Sequence, residues 1–182
     1  LLISTQMIPD AIQKLADALA ELPGIGPRQA LRIAFRLASN GKRALEQLMT
    51  AGANMRALSL CVQCFLPHEN DGDLCRICAD RSRTADIVAI IEKETDLISI
   101  ERTKKFNGRY LVLGDLQKTG MLESVQKLRL KHLKDSVQKE IGVAEEIIIA
   151  LNPNTYGDLN TSVIVKELEG IAKKISRLGR GI

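Results

Sequence analysis

The chain of 182 residues has no tryptophan, two tyrosines and three phenylalanines, so only 3% of it is aromatic. A single-strand binder that works by stacking bases needs a row of rings, and this scarcity argues against one. Apolar runs are short as well. The longest, such as IVAII and IIIAL, suit buried strands and fall far below the roughly 20 residues that cross a bilayer. Nothing resembles a signal peptide, and the chain reads as soluble and cytoplasmic with no membrane partner. A large excess of one charge is also missing: 26 Lys and Arg stand against 22 Asp and Glu, a net +4, so any basic partner-binding surface must be local. The sequence opens Leu1-Leu2-Ile3 without a methionine and stops at Gly181-Ile182, so neither end is taken as complete.

What is present is a globular composition, 45% hydrophobic and 26% charged, long enough for one domain of ordinary size plus a smaller module or two. Ile12, Leu15, Ala16, Leu19 and Leu22 recur at helical spacing after Pro9-Asp10, which predicts an amphipathic helix of about three turns. LPGIGPRQALRIAFRL follows, from Leu22 to Leu37. Gly24 and Gly26 permit backbone angles that other residues resist, and Pro27 suits a first helical position, where a missing N–H costs nothing. The result is a helix, a tight turn and a second helix whose N-terminal amides can bind an anion such as a phosphate. Arg28, Arg32 and Arg36 lie at i, i+4 and i+8 on one face, while Ala30, Ile33 and Leu37 face a core. LPGIGPRQA has the form of a helix-hairpin-helix, which holds DNA backbone and reads no bases. The plainer alternative is a structural helix pair with a solvated arginine face. A third helix is expected from Lys42 to about Ser59, with an interruption at Ala51-Gly52.

Cys61-x2-Cys64 and Cys75-x2-Cys78, ten residues apart, form two knuckles that can supply four thiolates to one tetrahedral structural Zn²⁺. Two disulfides are the alternative, which a cytoplasmic chain disfavours. Arg76, Arg81 and Arg83 are candidates to offset the site's negative charge, and His68, inside the intervening loop, reads as a surface residue. A closed four-sulfur site leaves no position for substrate water, so its role is folding.

Beyond Arg83 the pattern changes. Ile87 to Ile91, Tyr110 to Leu113 and Ile147 to Leu151 are apolar runs separated by helical stretches near Glu94 to Arg102 and within Glu123 to Glu140. Strands alternating with helices imply a parallel sheet covered on both faces. Catalysis by Mg²⁺ at the carboxyl end of such a sheet needs converging carboxylates. Glu92 is one. Asn152 and Asn154 stand in N-x-N-x-x-G where a topoisomerase-primase (Toprim) site has D-x-D-x-x-G, and two amides in place of two acids weaken any Mg²⁺ site. Asp96, Asp115 and Asp158 are the remaining acids, each more readily a helix cap or surface charge than a catalyst.

In the order LPGIGPRQALRIAFRLA, CVQCF…LCRICAD, IVAIIEKETDLISIERTKKFNGRYLVLG, ALNPNTYGD and ISRLGRGI, these segments resemble the bacterial RecR family of recombination proteins over nearly the whole chain. The resemblance implies an α+β multi-module protein: a helix-hairpin-helix module at 1–58, a four-cysteine zinc motif at 59–82 and an α/β Toprim-like domain with a mainly parallel sheet at 83–182. It implies no enzyme. The expected role is a DNA-repair mediator that forms a homo-oligomeric ring, dimer or tetramer, and acts with RecO and RecF to load RecA at single-stranded gaps, associated with the nucleoid when on DNA.

Position by position, Arg28 and Arg32 match basic residues of the family's DNA-binding hairpin helix, and Gly24, Gly26 and Arg36 stand beside them as candidate DNA contacts. Cys61, Cys64, Cys75 and Cys78 match the zinc ligands. Glu92 matches the first-strand acid, and Asn152, Pro153, Gly157 and Asp158 fall on the family's N-P-T-x-E-G-E pattern, whose acidic surface holds RecO. Five departures stand out: the loop between the cysteine pairs is longer than usual, Tyr156 replaces a customary glutamate, Asp158 is a shorter acid than its usual counterpart, DLQKTGMLESVQKLRLKHLK replaces a glycine-rich segment, and RLGRGI lacks the family's P-V-G-G-D-L-E-Y-like continuation. A true end there would take the last strand from the sheet and weaken oligomer contacts; truncation is the simpler account. The alternative function is a Mg²⁺-dependent Toprim nuclease or topoisomerase-like enzyme, and a third is a protein-interaction module with an inert hairpin.

Overall fold

The computed structural model describes residues 7–39, 42–152 and 155–179. It divides into two compact units, Leu1–Ala57 and Leu58–Ile182.

The first unit is helical. Helix α1 spans Asp10–Ala20 and α2 spans Pro27–Ser39. Their contact is made by alanines: Ala16, Ala30 and Ala34 are buried, ringed by Ile12, Leu15, Leu19, Ile25 and Leu31. Side chains this small let the two backbones approach closely. The turn between them is held by Leu22 N–H to the Leu19 carbonyl at 3.2 Å and Ile25 N–H to the Leu22 carbonyl at 3.1 Å. Leu22 itself lies beyond α1 and is half exposed, not on the core face its spacing suggested.

Gly24 has φ +80°, the left-handed region that glycine enters without cost. Gly26 does not, so its freedom of φ is not what the turn uses. Gly24→Ala should therefore destabilise this unit by about 1–2 kcal/mol through backbone strain alone, measurable as a lower denaturant midpoint; an unchanged midpoint would show that the turn can relax.

Helix α3, Lys42–Asn54, runs uninterrupted through Ala51-Gly52 and passes into a 3₁₀ turn at Met55–Ala57, ending earlier than its periodicity predicts. It buries no side chain fully.

The second unit begins with the cysteine segment: two antiparallel two-residue strands, β1 (Ser59–Leu60) and β2 (Pro67–His68), then the one-turn helix α4 (Arg76–Ala79). The α/β part follows as β3 (Ile87–Ile91), α5 (Glu94–Arg102), β4 (Arg109–Val112), α6 (Ser124–Glu140), β5 (Ala144–Ala150), α7 (Thr155–Glu167) and β6 (Ala172–Arg177). All strand pairs of this sheet are parallel, in the order β4-β3-β5-β6. Strand β6 matches none of the apolar runs in the sequence. AKKISR has one apolar residue at its centre and two lysines, and it becomes a strand by pairing its backbone with β5.

One face of the sheet, with Val88, Ile90, Leu111, Leu113, Ile147 and Ile149, packs against Leu130, Leu133 and Val137 of α6, Ile164 of α7 and Leu168 just beyond it. The other, with Ala89, Ile91, Tyr110, Val112 and Ala150, packs against Leu97 and Ile100 of α5, Phe106, and Leu66 and Ile77 of the cysteine segment. Burial on both faces explains why β3 is a continuous apolar run. Connections from β3 and β5 leave toward opposite faces, so their carboxyl ends frame the crevice where ligands of open α/β sheets bind.

Candidate functional site

The four cysteines form the most sharply defined site. Cys61, Cys64, Cys75 and Cys78 are all buried, and their sulfurs lie within 4.8 Å of one another. Each knuckle shapes its pair locally. Phe65 N–H bonds to the Cys61 carbonyl at 2.9 Å, with Phe65 in the left-handed region at φ 64°, and Cys75 caps α4, its Sγ accepting from Cys78 N–H at 3.5 Å. The sulfurs of Cys64 and Cys75 are 3.5 Å apart, whereas a disulfide needs about 2.05 Å. Sulfurs 2.3 Å from a tetrahedral Zn²⁺ sit about 3.8 Å from each other, so the donor set and its spacing fit such an ion.

Hydrogen bonds from the Cys64 and Cys78 thiols hold the Cys75 thiol far below its ordinary pKa, while hydrogen bonding within the cluster pushes Cys64 and Cys78 up. Arg83 does not serve as the counter-charge expected of it: its guanidinium bonds Glu101 at 3.0 and 2.5 Å and the Gly108 carbonyl at 3.0 Å.

The cluster is fastened to the edge of the sheet. Strand β4 is an edge strand, and the outward N–H of Val112 donates to the Cys64 carbonyl at 2.9 Å. The Val112 carbonyl accepts from Arg129 Nη1 at 3.0 Å, and that guanidinium lies 4.9 Å above the Phe65 ring. Consecutive residues clasp the edge: Phe65 packs into the core of one face and Leu66 into that of the other. His68 is buried, not on the surface as its loop suggested, because pairing with Ser59 turns it inward, and its Nδ1 accepts from Asn70 N–H at 3.2 Å.

In the helical unit, Arg28, Arg32 and Arg36 are exposed and take part in no ion pair among the described residues. A Cβ added at Gly24 or Gly26 would meet nothing within 4 Å, so open space lies in front of the turn.

At the carboxyl ends of β3 and β5, Glu92 and Asn152 come together, with Asn152 Nδ2 3.4 Å from Glu92 Oε2 and the other carboxylate oxygen accepting from Leu116 N–H at 3.3 Å. A cleft of about 340 Å³ beside them is lined by Glu92, Lys93, Asp115, Lys118, Tyr156 and Asn160. Lys93 bonds Asp115 at 3.3 Å, and Lys118 Nζ stands 5.9 Å from the Tyr156 ring centre. Two ammonium groups thus stand beside the two acids of the cleft, Glu92 and Asp115. Asp96 caps α5 by accepting from Lys93 N–H at 3.1 Å, and Asp158 pairs with Arg177 of β6. Pro153 and Asn154 lie outside the described residues, as do residues 180–182 of ISRLGRGI. Lys93, Lys118 and Asn160 are not legible as site residues in the sequence. Lysines on loops carry no pattern, and Asn160 reaches the cleft only through α7.

A helix-hairpin-helix, a four-cysteine cluster and a parallel α/β sheet of Toprim type define a class of DNA-metabolism protein by their combination. The Toprim domain model matches residues 86–179, and the model described as RecR, helix-hairpin-helix, matches residues 12–53. Along the full chain, Recombination protein RecR of Nocardia farcinica is 35% identical over 180 residues, covering 97% of this chain and 88% of the relative. The same protein of Mycobacterium tuberculosis is 34% identical over 185 residues, with the same coverage, and that of Paenarthrobacter aurescens is 31% identical over 177 residues, covering 97% and 87%. The chain belongs to the RecR family of recombination proteins. No helix among the described residues is long and apolar enough to cross a membrane.

Proposed function

We propose that this chain is a non-catalytic, sequence-nonspecific DNA-binding mediator of recombinational repair, built as modules over 1–58, 59–82 and 83–182. It acts in the cytoplasm as a homo-oligomeric clamp, dimer or tetramer, with RecO and RecF to promote RecA loading. The observation that carries the reading is the unpaired arginine row Arg28, Arg32 and Arg36 beside the open turn at Gly24 and Gly26. A phosphate oxygen can approach that turn because no side chain stands before it, and the guanidiniums then track the following phosphates.

Cys61, Cys64, Cys75 and Cys78 hold Zn²⁺, which supplies charge neutralisation and a fixed tetrahedral crosslink. With it in place the cysteine segment stays clamped on the β4 edge. Glu92, Asn152 and Asp158 form the partner-binding face. Retention of DNA by a closed ring needs no reacting group, and the sheet's cleft supports that view: Glu92 is already engaged by Leu116 N–H and Asn152, Asp115 is paired with Lys93, and Lys118 lies close by. Those groups leave poor provision for a catalytic Mg²⁺.

The test is fluorescence anisotropy of labelled duplex and single-stranded DNA at two salt concentrations, with and without Mg²⁺, followed by a gel of the same samples. Salt-sensitive binding, alike for unrelated sequences and leaving DNA intact, is expected. Cleavage or relaxation that needs Mg²⁺ and disappears in Glu92→Ala would overturn the reading in favour of an enzyme.

A further inference from the structure

The sheet unit carries a second basic surface that the hairpin does not account for. Two segments lie at the amino ends of neighbouring strands: residues 80–86 lead into β3 and residues 103–108 into β4. They are tied together. Thr84 N–H donates to the Asn107 carbonyl at 2.9 Å, Asn107 Nδ2 donates to the Ser82 carbonyl at 3.3 Å, and Arg83 reaches across to Glu101 and the Gly108 carbonyl.

Three acids lie in or beside these segments: Asp86 is part-buried near Lys173 of β6, and the other two are consumed within this scaffold. Asp80 accepts from the Ser82 N–H at 2.9 Å and hydroxyl at 2.7 Å, and Glu101 accepts from Arg83 and, at 2.6 Å, from the Tyr110 hydroxyl. Arg81, Arg102, Lys104 and Lys105 remain exposed, and none takes part in an ion pair among the described residues.

A cation at a helix C-terminus is common for its own sake, because it complements the exposed carbonyls. That accounts for Arg102 in the last turn of α5. It does not account for Lys104, which follows the cap Thr103 with φ 55°, at the position where helices usually end in glycine because a Cβ is strained there. Lysine at such a place weakens the helix end and adds an unpaired charge beside three others.

We propose that Arg81, Arg102, Lys104 and Lys105 form a second contact for the sugar-phosphate backbone of DNA. It lies at the amino edge of the sheet, distinct from the hairpin and from the cleft at the opposite edge. Glu92 and Asn152 follow the carboxyl ends of β3 and β5, about 16 Å away along a five-residue strand. A strand of nucleic acid on the basic edge therefore leaves the Glu92 cleft open to another protein.

The test uses the full chain with Arg102→Gln, Lys104→Gly and Lys105→Gln together, titrated against labelled duplexes of unrelated sequence across a salt series. Lys104→Gly relieves strain, so the melting temperature should hold. Loss of three phosphate contacts should flatten the slope of log affinity against log salt by about 2.7, equally for every duplex. If the triple variant does not fold, Lys104→Gly alone should flatten it by about 0.9. A folded variant whose slope and affinity match the parent overturns the proposal, whatever else the patch binds. Arg28→Ala with Arg32→Ala, titrated in parallel, reports on the hairpin separately. A reduced slope in the patch variant with an unchanged one in the hairpin variant upholds this site and overturns the other.

Discussion

Cys75→Ser should strip the metal from the chain and lower its thermal midpoint by about 10 °C or more. The size follows from what the cysteine segment covers. Phe65, Leu66 and Ile77 pack on the sheet from a segment whose remaining core is the four cysteines. Undocking three such side chains gives up on the order of 5 kcal/mol of apolar burial, and a domain of this size shifts by about 2–4 °C per kcal/mol. Serine offers a hard, protonated oxygen where a borderline-soft ion wants thiolate, so the substitution removes one of the four ligands.

A second consequence is specific to this docking. Once the segment lifts, Val112 loses the Cys64 carbonyl as its partner, and β4 presents an open edge to other chains. Light scattering of the variant should therefore rise with protein concentration, and a chelator should reproduce both effects in the unaltered chain. Full metal content by atomic emission together with an unchanged midpoint in Cys75→Ser would contradict the four-sulfur site.

That docking also marks where the sequence stops being readable. Both knuckles are local, and their spacing alone foretells four converging thiols. Where the cluster sits depends on a bond between Cys64 and Val112, distant in the chain, and no periodicity encodes it. The same contrast separates β3 from β6. Ile87–Ile91 is apolar throughout because both its faces are covered, so it stands out as a run; β6 lies at an edge, and its lysines pair with Glu145 and Glu146 on β5. Those cross-strand pairs exist only after the sheet has formed. A polar residue in a polar loop reads as solvated, whereas pairing of the short strands β1 and β2 leaves His68 buried. At the cleft, Glu92 and Asn152 were legible from their places after strands. The ammonium groups of Lys93 and Lys118, which decide what the cleft can hold, were not.

Placement of the two candidate surfaces at opposite sheet edges follows from the parallel topology. Every strand points the same way, so loops that enter strands gather at one edge and loops that leave them gather at the other. In this chain the loops that enter β3 and β4 carry Arg81, Lys104 and Lys105, and the segments that leave β3 and β5 carry Glu92 and Asn152. A protein that must hold nucleic acid and a protein partner together can use such a division without any conformational change.

Arg28→Ala with Arg32→Ala should weaken DNA binding by roughly tenfold or more at low salt and flatten the salt slope by about 1.8, two phosphate contacts at 0.9 each. Both side chains are exposed and outside the alanine seam of α1 and α2, so the fold should not register the change: alanine is the best helix former, and Ala16, Ala30 and Ala34 keep their packing. The loss should be the same for every duplex, because backbone contacts carry no base information. Arg36→Ala alone, one turn further along the same face, should remove about 0.9 from the slope if the backbone follows the helix that far, and nothing if it turns away. Circular dichroism and the melting temperature serve as controls on folding. An unchanged slope in the double variant would assign these arginines to a solvated helix face and leave the turn at Gly24 a purely structural joint.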